Sequence, residues 1–184
     1  MQDPFVRVLV LVGAISLSLA ALTTPRGADA ATTRAETIAH TDDFRRQTWR
    51  LQKLMGKERT PTLYTERRTS DAAYRVWVRN LWKRRAAAAL RQAQNPPHRD
   101  EWMCIHRYER HPEQGWRTRT GNGYYGGLQM DISFQRTYGR ELLSRKGTAN
   151  NWKPYEQMWV AERAHKSGRG FYPWPNTARY CNLI

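Results

Sequence analysis

Two short stretches decide how this chain is read: Cys104-Ile-His-Arg-Tyr-Glu109-Arg-His and, eleven residues after the glutamate, Thr120-Gly-Asn-Gly-Tyr-Tyr-Gly-Gly-Leu-Gln129. The first predicts a helix around Asp100 to Arg110, with Trp102, Ile105 and either Tyr108 or Glu109 on adjoining faces. Glu109 then falls at a helix end beside apolar groups, where partial burial disfavours the charged carboxylate. The second stretch is broken by glycines and carries rings and amides, so it reads as an irregular or hairpin segment through Leu128. Adjacent Tyr124 and Tyr125 point to opposite sides of an extended segment, so at least one of them belongs to the core.

Helical patterns surround this pair. One runs from about Ile132 to Lys146, another from Pro154 to Lys166, with Pro154 at the first helical position and Gly168 as the stop. The tail Phe171-Tyr-Pro-Trp-Pro175 is expected to be non-helical and to wrap the surface. Asp131 precedes the first of these helices and reads as its N-cap in preference to a second catalytic carboxylate. Glu162 most simply pairs with Lys166 one turn on. The class is therefore α+β, mostly α, with a short hairpin.

Residues 31–97 differ in texture, being rich in arginine and alanine. Phe44, Leu51 and Met55 recur at helical spacing after the possible caps Thr41 to Asp43 and before Gly56, although Thr48 interrupts that stripe. A second helix starts at Ser70 or Asp71, aligns Tyr74, Trp77, Val78, Leu81 and Trp82, and ends at Gln94-Asn-Pro-Pro97. Arg75, Arg79, Lys83 and Arg84 fall away from the centre of its stripe, making it amphipathic and basic. Two basic, Trp-bearing helices could lie on an anionic wall or membrane; an α-hairpin packed on residues 98–184 is the preferred expectation.

Met1 to Ala30 has the form of a secretory leader. Arg7 precedes an apolar run from Val8 to Leu22, and Ala28-Asp29-Ala30 offers a small-x-small cleavage site before Ala31. That run of 15 residues is shorter than the ~20 needed to span a bilayer. The formal charge of +15 survives removal of the leader, since Asp3 and Asp29 offset Arg7 and Arg26. A charge of this size calls for an anionic partner. Anionic cell-wall polymers and membranes fit export; nucleic acid, the usual partner at such a pI, does not. Cys104 and Cys181 are the two cysteines, and an oxidising compartment makes one disulfide their natural state, worth roughly 4 kcal/mol by loop closure.

Trp116 followed by the whole of Thr120 to Gln129 resembles the signature of the transglycosylase-like domain of resuscitation-promoting factors, secreted bacterial muralytic proteins. Val160-Ala-Glu-Arg163 and Trp174-Pro175 resemble the later helix and tail of that family, so the similarity spans about residues 100–181. The resemblance implies a small lysozyme-like fold acting on peptidoglycan glycan strands; a monomer without a cofactor is expected. It implies Glu109 as the single catalytic acid, cleaving the bond between N-acetylmuramic acid and N-acetylglucosamine. It also implies substrate contacts from Trp116, Thr120, Asn122, Tyr124, Tyr125 and Gln129. Aromatic faces stack on sugars, Gln129 can hydrogen-bond them, and Gly126 and Gly127 would let backbone approach the glycan.

The chain departs from the family pattern in ways that bear on the acid. Glu109 lies seven residues before Trp116, two more than in the family, and Arg-His-Pro replaces the usual Ser-Gly-Gly. Cys104 is five residues before Glu109 instead of adjacent to it, and Glu113, three residues from Trp116, is a rival acid in an exposed turn after Pro112. A non-catalytic peptidoglycan-binding or regulatory wall module is the alternative function. His106 and His111 lack zinc-ligand spacing with a third ligand, so no metal is expected from them.

Overall fold

The computed structural model describes the chain from residue 27 onward, with side chains from residue 33. The apolar run of the expected leader lies outside the described residues, as do the side chains of Ala28 to Ala30. Among the described residues there is no helix long and apolar enough to cross a membrane.

Helix α1, Gly27–Leu54, is one continuous rod. Thr41 to Asp43 therefore do not cap it, and the reason is local. The hydroxyls of Thr37, Thr41 and Thr48 each donate to the carbonyl four residues back, at 2.8, 2.7 and 2.8 Å, satisfying themselves inside the helix. These threonines are buried and share a seam with Leu51, Leu54 and Met55, so Thr48 continues the stripe it seemed to interrupt. Gly56, at φ +69°, takes the chain out of the helix.

A single turn, α2 (Tyr64–Arg68), precedes α3 (Ala72–Ala93), which packs along α1. Asp71 caps α3 by accepting from the Tyr74 amide at 3.0 Å. The seam of α3 is Val78, Trp82, Ala86, Ala89 and Ala93, so alanines do much of the packing expected of larger residues. Trp77 lies off the seam, 50% exposed and stacked on Tyr74 at 5.5 Å between ring centres. Trp82 is fully buried, and its indole N–H donates to Glu66 of α2 at 3.0 Å. That bond gives the short helix its place: without Glu66 a buried donor would lose its partner.

The remaining helices are α4 (Arg99–Glu109), α5 (Ile132–Tyr138), α6 (Arg140–Lys146), α7 (Pro154–Ala164) and α8 (Pro175–Tyr180). Between α4 and α5 a short antiparallel ladder joins β1 (Tyr124–Tyr125) to β2 (Met130–Asp131), with Tyr124 opposite Asp131 and Tyr125 opposite Met130. The helix expected over Ile132 to Lys146 is two helices broken at Gly139. A side chain there would meet the Trp152 ring at 2.6 Å, so the break is where an indole packs directly on backbone. Helix α7 ends at Ala164 and opens into a π turn over His165–Arg169, and Gly168 at φ +92° terminates it as expected.

The tail corrects another expectation. Phe171 and Trp174 are buried, and Pro175 starts α8 at its first position. Residues 171–174 are turn and bend, non-helical as expected, but Phe171 and Trp174 enter the core instead of wrapping the surface, and the Trp174 indole donates to the Leu128 carbonyl at 2.6 Å.

One apolar core runs from Leu51, Leu54 and Ala93 of the hairpin through Trp102, Ile105, Leu128 and Val160 to Ala178. Residues of the size of Ile105 or Leu128, both fully buried, each contribute about 1.5–3 kcal/mol. The hairpin is latched by Trp159, which donates to the Ala93 carbonyl at 2.8 Å, and by Arg163, which donates to the Leu54 carbonyl at 3.0 Å. It is an α-hairpin packed on the rest of the chain.

Candidate functional site

Glu109 is the last residue of α4 and is half-buried. The Thr177 hydroxyl, in the first turn of α8, donates to its Oε1. Cys104, one helical turn and a half earlier on α4, is bonded to Cys181 just past α8. A covalent tie and a hydrogen bond thus fix α8 against the end of α4 that presents the carboxylate.

The glycine turn is held against the same end of α4, by His106. Its ring stacks on Trp116 at 3.8 Å, nearly parallel, and its Nδ1 lies 3.0 Å from the Gly127 carbonyl. Burial in this stack disfavours the imidazolium and holds the pKa of His106 below the ordinary histidine value; the Gly127 carbonyl opposes that shift and Arg110 adds to it. Nδ1 consequently acts as the N–H donor to Gly127. On the other side, Gln157 is fully buried and organises the loop. Its Oε1 accepts from the Gly127 amide at 2.8 Å, and its Nε2 donates to the carbonyls of Trp116 and Ala149, both at 2.9 Å.

This geometry corrects the role given to two glycines. A Cβ on Gly126 would lie 2.5 Å from Gln157, and one on Gly127 would lie 2.4 Å from His106. Both glycines admit the protein's own side chains, so neither needs a ligand to explain it.

The expected site residues do not all converge. Tyr124 is exposed while Tyr125 packs against the core, as strand alternation requires. Tyr124 and Gln129 line a cavity of about 170 Å³ with Asp131, Tyr138, Arg169 and Trp174. Gln129 has φ +48°, and its amide donates to the Gly126 carbonyl at 2.8 Å, closing the turn. Asp131 caps α5, accepting from the Phe134 amide at 2.7 Å. Trp116 lines a separate opening with Arg117, Asn151 and Trp152. Thr120 and Asn122 lie in the exposed loop, where Asn122 accepts from the Tyr124 amide at 3.1 Å. Glu113 is exposed. Glu109 does not line the 170 Å³ cavity, and neither does its partner Thr177.

Glu162 overturns its expected pairing with Lys166. It is buried to 1% exposure and accepts from the Trp102 indole at 2.7 Å and the His98 amide at 3.0 Å, with His98 Nδ1 at 2.9 Å. Thr177, Gln157 and the His98–Glu162 pair were not found from the sequence. Each acts on a partner more than 25 residues away, and no local spacing signals such a bond.

No protein-family model, curated protein or solved structure matches this chain.

Proposed function

We propose that the protein is an exported, peptidoglycan-cleaving enzyme with a small lysozyme-like catalytic unit in residues 98–184, and that Glu109 is its acid. The observation that carries this reading is the setting of Glu109: a half-buried carboxylate at a helix end, with the Thr177 hydroxyl donating to one oxygen. A neutral donor on Oε1 leaves Oε2 to carry the catalytic proton. The disulfide supports export, since such a bond persists in an oxidising compartment. The +15 charge supports work among anionic wall polymers.

In the proposed reaction Glu109 gives its proton to the oxygen joining N-acetylmuramic acid to N-acetylglucosamine as the C1–O bond breaks. The resulting carboxylate then takes the proton of the muramic acid 6-hydroxyl while that oxygen bonds to C1, closing a 1,6-anhydro ring and restoring the acid. One carboxylate suffices for this sequence. A retaining hydrolase would need a second carboxyl about 5–5.5 Å away, and Asp131 is engaged as a helix cap.

A second reading, a wall-binding module without catalysis, draws on the separation of Trp116 and Glu109 from the 170 Å³ cavity. Zymography separates the two. Wild type should clear a peptidoglycan gel and Glu109→Gln should lose at least about 10²-fold in rate. Equal clearing by both proteins would sink the assignment, and loss in Glu113→Gln alone would transfer the role to Glu113. Sedimentation with sacculi without release of muropeptides would favour the binding module.

A further inference from the structure

We propose that His98, Glu162 and His165 form a binding site for a divalent transition-metal ion, zinc above others, joining the start of α4 to the end of α7. The starting point is the carboxylate. Glu162 is buried to 1% exposure, and among the described residues it has no lysine or arginine partner. A buried carboxylate needs a compensating charge or a full set of hydrogen bonds. Its neutral donors, the Trp102 indole and the His98 amide, both go to Oε1. Oε2 has His98 Nδ1 alone, at 3.2 Å.

Two imidazoles stand beside this carboxylate, that of His98 with Nδ1 2.9 Å from Oε1 and 3.2 Å from Oε2. His98 stands just before α4 and is one-third exposed, which gives an ion a path in. His165 follows Glu162 by three residues, the spacing that puts both on one helix face, and it opens the π turn. One ligand atom from each of the three residues lies within 4.8 Å of the other two. Tetrahedral zinc with bonds of about 2.0–2.1 Å holds its ligands ~3.3 Å apart. Binding would therefore draw the three ligand atoms closer together than they stand without an ion.

The surroundings suit a metal as well as the ligands do. The Trp102 indole anchors Oε1, as the outer partners of ligating carboxylates do. Phe171 packs edge-on against both imidazoles, at 5.7 and 4.7 Å between ring centres, and the two imidazoles stand 4.2 Å apart. Two nitrogens and one carboxylate oxygen form a donor set that zinc accepts, with a fourth position left for water. An ion there would link the beginning of α4 to α7 at the opposite end of the helix from Glu109.

The test uses the full chain, stripped by a chelator and titrated with zinc chloride by calorimetry, then with cobalt to read its visible absorption. One ion per chain should bind saturably and raise Tm. His98→Ala and His165→Ala should each weaken it at least tenfold, and His40→Ala, on α1, should leave it unchanged. His165→Ala keeps every hydrogen bond of Glu162, so it decides the matter even if His98→Ala folds poorly. Absence of saturable zinc binding would overturn the proposal, leaving His98 and Glu162 a hydrogen-bonded pair. Zinc or cobalt binding undiminished in His165→Ala would overturn it equally.

Discussion

Replacing Gly127 by alanine separates a glycine that admits the protein's own side chains from one that admits a ligand. The new Cβ would sit 2.4 Å from His106 Nδ1, 2.7 Å from its Cε1 and 2.9 Å from a Trp116 ring carbon. Ordinary contact requires about an ångström more, and His106 has nowhere to go. It is stacked on Trp116 on one face and bonded to the Gly127 carbonyl at its edge. Overpacking of this kind costs about 1–3 kcal/mol, and loss of the His106 bond adds about 1 kcal/mol. In a chain of this length each kcal/mol moves Tm by about 2–4 °C, so a fall of about 4–16 °C is expected. Gly123 is the control. A side chain there meets nothing within 4 Å, although φ is +87°, and the left-handed backbone alone costs about 1–2 kcal/mol. Thermal unfolding followed by circular dichroism compares the two variants. If Gly127→Ala proves as mild as Gly123→Ala, the packing ascribed to the turn is wrong.

Three other outcomes are expected. Reducing the Cys104–Cys181 bond, which spans 77 residues, should remove about 4 kcal/mol of stability by the loop-closure relation; unfolding curves with and without reductant give the value, and coincident curves would contradict it. His106, its pKa held down mainly by burial, is neutral in both folded and unfolded chains above about pH 6.5. Its contribution to stability is therefore whole there and is lost as pH falls through that value toward the lower folded one, because the unfolded chain binds the proton first. An NMR titration should show His106 protonating below the ordinary range, and His106→Gln should flatten the acid side of the Tm–pH curve. Arg163 donates to the carbonyls of Tyr138 and Leu54, at 2.7 and 3.0 Å. Arg163→Met should cost about 1.5–3 kcal/mol in urea unfolding, and an unchanged midpoint would show that the hairpin is held by other contacts.

Features set by short-range chemistry were legible in the sequence. Asp71 and Asp131 cap α3 and α5, Pro154 opens α7, and Gly56 and Gly168 end their helices. Cys104 and Cys181 had one partner each, and the alternation of Tyr124 and Tyr125 followed from strand geometry. What stayed hidden depended on distant partners. Thr48 broke the stripe of α1 in composition, yet its hydroxyl bonds within the helix and the residue packs in the seam. Gly139 splits a helix because Trp152, thirteen residues on, needs bare backbone to lie on. Glu162 looked like half of a surface ion pair, and burial against Trp102 and His98 made it an internal acceptor. The candidate site divides the same way. Position on α4 marked Glu109, whereas Thr177, Gln157 and His106, which fix its surroundings, became visible when α8, α7 and the turn met.

Digestion of purified sacculi by wild type and by Glu109→Gln, with the soluble products analysed by mass spectrometry, tests the role of Glu109 most directly. Wild type should release muropeptides ending in 1,6-anhydro-N-acetylmuramic acid, and a folded Glu109→Gln, matching wild type in Tm, should release at least about 10²-fold fewer. Equal release by the two proteins, or none by either, would contradict it.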